Sequence, residues 1–73
     1  MSKHHYEYNK ADSHGEAEIS YTCAGASRGW VVFVNEWHSG IKFHFHKWNF
    51  KCFEDAEDWL MSYGRKGIWR KVA

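Results

Sequence analysis

The sequence predicts an α+β fold: a three- or four-stranded antiparallel sheet with one short helix packed on one face and a short C-terminal strand. Three observations lead there. Glu16–Cys23 and Ile41–His46 alternate apolar and polar residues with the period of a half-buried strand. Trp30–Trp37 is dense in β-branched and aromatic residues, which suit a pleated surface. Phe53–Gly64 alone carries its apolar residues at helical spacing.

Composition sets the scale. A chain of 73 residues makes one small domain, and such a domain buries only about 60% of the surface its unfolded chain exposes. With one leucine against 5 Trp, 4 Tyr and 5 Phe, the interior must be built from rings, each burying about 150 to 250 Å². A fold this small cannot hide them all, so some are expected at the surface. The formal charge of +1 provides no global field that would select a partner. The longest apolar run, Trp30 to Val34, falls far short of the roughly 20 residues of a membrane helix, so no membrane partner is expected. Cys23 and Cys52 belong to no CxxC pair, and Met1–Tyr6 has no apolar leader. Both thiols are expected free in a cytoplasmic protein.

Taken in order, residues 1–15 form a polar N-terminal segment in which only Tyr6 and Tyr8 are large and apolar. Tyr6–Asn9 reads as an edge strand or a disordered terminus, and Asp12–Gly15 as a turn. Residues 16–73 are read as the single α+β domain. Ala17, Ile19, Tyr21 and Cys23 lie on one side of the first alternating strand. Ala24–Gly29 is a loop by composition; no Lys-Ser or Lys-Thr pair follows its glycines, and a phosphate-cradling role does not fit. His38-Ser39-Gly40 then joins two strands as a hairpin. A three-residue loop with Gly40 in the left-handed conformation pairs Trp37 with Ile41, Glu36 with Lys42 and Phe33 with Phe45, whereas a two-residue loop sets Glu36 beside Phe43 and Phe33 beside His46. Matching acid to base and ring to ring favours the three-residue form. It places Val31, Phe33, Trp37, Ile41, Phe43 and Phe45 on one face. Trp30, Val32, Val34, Glu36, Lys42, His44, His46 and Trp48 take the other.

Beyond His46 the apolar positions change parity, which calls for a bulge or bend at Lys47. In the helix, Phe53, Ala56, Leu60 and Tyr63 form a stripe with Trp59 alongside. Acids at its start complement the macrodipole, Asp55 with Asp58 can cap it, and Gly64 followed by Arg65 and Lys66 suits its end. Gly67–Val72 reads as the closing strand, with Ile68, Arg70 and Val72 alternating against Trp69 and Lys71.

With one helix only one sheet face is covered, and the expected binding surface is the other. The tryptophans Trp30, Trp48 and Trp69 are its anchors, and His44, His46, Arg70 and Lys71 orient the partner; Trp37 and Trp59 are expected in the core. The function this implies is a small non-enzymatic protein-binding module of the inhibitor or adaptor type, engaging another protein or its own copy, with no cofactor. A phage or mobile-element product would have this size. Two other readings compete. Lys42, Lys47, Lys51, Arg70 and Lys71, interleaved with Trp48, Phe50 and Trp69, form a basic and aromatic strip suited to single-stranded nucleic acid. His44-x-His46, completed by Cys23, Cys52, His38 or Glu36, offers a metal shell, though not in the usual spacing of two close-set pairs. A catalytic reading, with His38, His44 or His46 as a base oriented by Glu36, lacks an enclosed cleft and a nucleophile.

Overall fold

A computed structural model describes residues 3–24, 27–63 and 68–72. Its elements are β1 (Lys3–Asn9), β2 (Ser13–Ala24), β3 (Ser27–His38), β4 (Ile41–Phe50), α1 (Phe53–Ser62) and β5 (Arg70–Lys71). The strands form one antiparallel sheet in the order β4-β3-β2-β1-β5, with the helix packed against it. The chain thus meanders through four long strands, crosses one face as a helix, and returns as a two-residue strand beside β1. The predicted fold class is the observed one. Within it β1 runs from Lys3 and lies inside the sheet, flanked on both sides, with Tyr6 and Tyr8 in the core.

The register decides which side chains meet the helix. Tyr6 lies opposite Ala17, Ala17 opposite Val34, and Val34 opposite Phe45. Cross-strand partners share a face. The helix-covered face therefore carries His4, Tyr6 and Tyr8 of β1, Ala17 and Ile19 of β2, Trp30, Val32, Val34 and Glu36 of β3, and Phe43, Phe45 and Phe50 of β4. Ala56 and Leu60 of the helix complete the core, with Phe53, Trp59 and Met61 packed around it.

Gly15, opposite Tyr8, is where the core needs the absence of a side chain. A Cβ there would sit 2.5 Å from Tyr8 Cε2 and 3.0 Å from the Trp69 ring, and it is in that space that Tyr8 and Trp69 pack edge to face at 4.8 Å.

The hairpin register corrects the expectation. His38 pairs with Ile41, Trp37 with Lys42 and Glu36 with Phe43, so the loop has two residues, Ser39 and Gly40, both at positive φ (52° and 82°). Left-handed conformations at both central positions are those of a type I′ turn, whose twist matches the flanking strands. The Ser39 N–H also donates to the Asp12 carbonyl at 3.0 Å, tying the two turns at this end together. Every β4 side chain then changes face relative to the three-residue register. Trp30, Val32 and Val34 lie under the helix, while Val31, Phe33 and Trp37 take the open face with His44 and His46.

The parity change beyond His46 is real and sits slightly later than expected. Lys47 still pairs with Val32, and the extra residue falls at Trp48–Asn49 before Phe50 pairs with Trp30. That bulge brings Phe50 onto the helix side. The helix N-cap is Cys52, without a side-chain cap bond, in place of the expected aspartate pair; Glu54 and Asp55 occupy the first turn. Gly64, Arg65 and Lys66, expected to end the helix, lie outside the described residues.

Candidate functional site

Glu36 anchors the geometry at the hairpin end. It points to the helix side, is 6% exposed, and accepts two phenolic hydrogen bonds. Tyr8 donates to its Oε2 at 2.6 Å and Tyr63, just past the helix, donates to its Oε1 at 3.0 Å. The His38 imidazole Nε2 stands 3.4 Å from Oε2. A third phenol, Tyr6, donates to Glu57 Oε2 of the helix at 2.8 Å. Carboxylate acceptors thus tie β1 to β3, to the middle of the helix and to the residue just past its end. Burial and the bond to Glu36 push the Tyr8 phenol up to about 12, and the same two causes raise Tyr63. Burial, then the bond to Glu57, raises Tyr6.

The helix cover ends at this network, but the sheet does not. A ten-residue helix spans about 15 Å and a twelve-residue strand about 40 Å, in line with the molecule's longest dimension of 40 Å. Past the network the helix-side face continues into Ile41 and Phe43, which are 61% and 50% exposed. Phe45, one step inward, packs on Trp59 and Tyr63 with ring centroids 6.2 and 5.1 Å away. At the opposite end Tyr21 is the exposed ring, set edge-on to Trp30.

Among the described residues β4 is an edge strand, its outer side unpaired. In a two-residue hairpin the residues flanking the turn exchange hydrogen bonds, so Ile41, Phe43 and Phe45 turn their backbone groups to β3. The N–H and C=O groups of Lys42, His44 and His46 turn outward. The other edge of the sheet is short and cationic, with Arg70 and Lys71 of β5 and one further bond from Val72 N–H to the His5 carbonyl.

The open face is more polar than expected. Its centre is a hollow of about 600 Å³ whose lining includes His5, Glu7, Glu16, Glu18, Phe33 and His44. Glu7 and Glu16 are direct cross-strand partners. His5 Nδ1 lies 3.9 Å from Glu18, and His44 Nδ1 is 2.6 Å from the Asn35 amide oxygen. Trp37 stacks on His14 at 4.7 Å with the Lys42 ammonium over its ring, so it belongs to this face and not to the core.

The expected site residues therefore divide. His44, His46 and Trp48 do share the open side near β4, with His46 edge-on to Trp48 at 6.0 Å. Trp30 lies on the helix side, half-buried against Phe53, Tyr21 and His4. Trp69 is 3% exposed because its ring packs on Tyr8 over Gly15, and its buried indole N–H meets no acceptor among the described residues. Arg70 is the register partner of Glu7 on the open side, and Lys71 reaches over the Phe53 ring on the helix side. They lie at the far edge from β4. The basic strip is consequently not assembled: Lys42 and Lys47 lie on β4 and Lys51 just follows it, Arg70 and Lys71 sit across the sheet, and Trp69 is inside. His38 and Glu36 do meet, on the side of the sheet opposite His44 and His46. Among the described residues no group of three His, Cys, Asp or Glu side chains is placed to hold a metal ion.

Sequence reasoning missed Ile41 and Phe43 as surface groups, since the three-residue register sent them to the core. It also missed the Tyr8–Glu36–Tyr63 network, whose members are far apart along the chain; the sole local signal was a glutamate in a largely apolar strand. Comparison of the chain with protein families, curated proteins and solved structures finds no match. Among the described residues no helix is long and apolar enough to cross a membrane.

Proposed function

We propose that this chain is a non-enzymatic protein-binding module that takes an extended segment of a partner along the free edge of β4. The observation that supports it is an edge strand of ten residues, none of them buried, that pairs outward-facing backbone groups with exposed Ile41 and Phe43 on one side. Exposed edges invite strand addition, and proteins usually blunt them. Here the blunting is one-sided. β5 and its two cations cover the middle of the β1 edge at Tyr6 and Glu7, while on β4 the bulge and Lys47 protect the far end and leave Ile41–His46 with a single lysine. Backbone bonds would supply affinity, and the alternating side chains would supply selection: aromatic groups toward the helix side, imidazoles toward the open side.

The test uses the immobilised full chain with nuclease present, compared with the Ile41→Lys, Phe43→Lys double variant. The expected result is a protein captured by the wild type and lost from the variant. That protein, prepared pure, should slow amide exchange at Lys42, His44 and His46 of β4. Equal capture by both chains, or protection confined to the open face, overturns the proposal. Capture abolished by nuclease points to nucleic acid instead.

A further inference from the structure

We infer that the strand fitting this edge is β4 of a second copy, paired antiparallel about a two-fold axis through His44; the inference rests on the edge reading above. The straight part of β4 before the bulge is Ile41–Lys47, and its midpoint is His44. Pairing His44 with the partner's His44 uses that whole run in both copies. It also sets Lys42 opposite the partner's His46. These are the residues whose backbone groups face outward, so the pairing forms three hydrogen-bonded pairs across the joint.

The side chains agree with this register. On the helix side Phe43 falls opposite the partner's Phe45, and Phe45 opposite the partner's Phe43. Phe45 already packs on Trp59 and Tyr63. A half-exposed Phe43 therefore gains the edge of an existing aromatic group, twice, by symmetry. Each lysine stays away from its own copy: at about 3.3 Å per residue, Lys42 lies roughly 13 Å from the partner's Lys42 and Lys47 roughly 20 Å from the partner's Lys47. Lys42 and the partner's Lys47, one step apart along the joint, point to opposite faces. A parallel in-register pairing would instead stack each lysine on its copy. The two-fold also leaves both helices on the same side of a continuous ten-stranded sheet. Seven residues a side is well below the roughly 20 to 30 of a standard interface, so the dimer belongs to the small, reversible class.

Sedimentation of the unmodified full chain from micromolar to millimolar concentration is expected to show the mass rising from 8.7 kDa toward twice that value. Register is tested in a Cys23→Ser, Cys52→Ser background. A hydrogen-bonded cross-strand pair has Cα atoms about 5.5 Å apart, within disulfide reach. His44→Cys should therefore cross-link to itself on mild oxidation. Lys42→Cys alone and His46→Cys alone should not, while a mixture of those two should. A chain that stays monomeric to millimolar concentration overturns the inference, as does Lys42→Cys linking to itself as readily as His44→Cys. If the chain is monomeric yet another protein protects the Lys42, His44 and His46 amides, the self-pairing fails and the edge reading stands. If no partner protects those amides, both fail.

Discussion

Glu36 shows how one residue can decide a register. Opposite Phe43 it looks mismatched, yet its carboxylate is satisfied by phenols from β1 and from beyond the helix. Removing it takes the acceptor from the buried Tyr8 hydroxyl and from the half-buried Tyr63 hydroxyl, and a buried donor without an acceptor costs about 1 to 3 kcal/mol. Glu36→Ala is expected to lose on the order of 3 kcal/mol in urea unfolding, and Glu36→Gln, which keeps one acceptor oxygen, on the order of half that. A loss under about 0.5 kcal/mol, the range of featureless surface changes, would mean that the network contributes nothing. The same bonds set an alkaline limit. Tyr8 is pushed up to about 12, first by burial and then by Glu36, whereas an unfolded phenol titrates near 10. The folded chain holds this proton more tightly, so the contribution is complete below about pH 10 and is lost as pH rises toward 12. Unfolding free energies across that window should fall, and Tyr8→Phe should flatten the slope. Gly15→Ala tests the packing behind the network: its new methyl meets Tyr8 at 2.5 Å, and an overpacked core site costs about 1 to 3 kcal/mol. Gly40→Ala meets no atom within 4 Å and carries only the penalty of its positive φ, roughly 1 to 2 kcal/mol.

At the scale of elements, the helix exists because the sheet holds it. Ten residues do not stay helical alone in water, and Ala56 and Leu60 are fully buried against the strands. Leu60→Ala should cost about 2 to 5 kcal/mol, with helical and aromatic circular-dichroism signals lost in one transition. A helix that melts first would show that the docking is not what sustains it. Element type was legible in the residues because period 2 and period 3.6 are local signals: the strands Glu16–Cys23 and Trp30–Trp37, a helix expected over Phe53–Gly64 and a bulge or bend expected at Lys47 were all visible. Register was not. Whether Ser39 enters the left-handed region depends partly on the Asp12 carbonyl that receives its N–H, a contact between two separate turns. Pairing side chains two at a time also favoured Glu36 with Lys42, because nothing local announced Tyr8 and Tyr63 as its partners. Trp69 was misplaced for the same reason. Its burial depends on Gly15, distant along the chain, leaving room for two rings.

For the whole molecule, the question is which surface a second copy would use, and shape answers it. The single chain has a radius of gyration of 12.5 Å. With strands about 4.8 Å apart and β5 only two residues long, the weight of the sheet centres between β2 and β3, so pairing two β4 edges separates the centres by about 19 Å. Combining that separation with the chain's own spread gives a dimer of about 16 Å. Packing through the open faces, as the expectation of an exposed Trp30, His44, His46 and Trp48 surface implied, brings two sheets to about 10 Å and yields only about 13 to 14 Å. The open face also gathers Glu7, Glu16 and Glu18 in its hollow, and two such hollows facing each other would set carboxylates against carboxylates. Small-angle scattering over the concentration range of the sedimentation experiment should therefore extrapolate to the larger value. Convergence on 13 to 14 Å at full dimer mass would move the interface from the β4 edge to the open face.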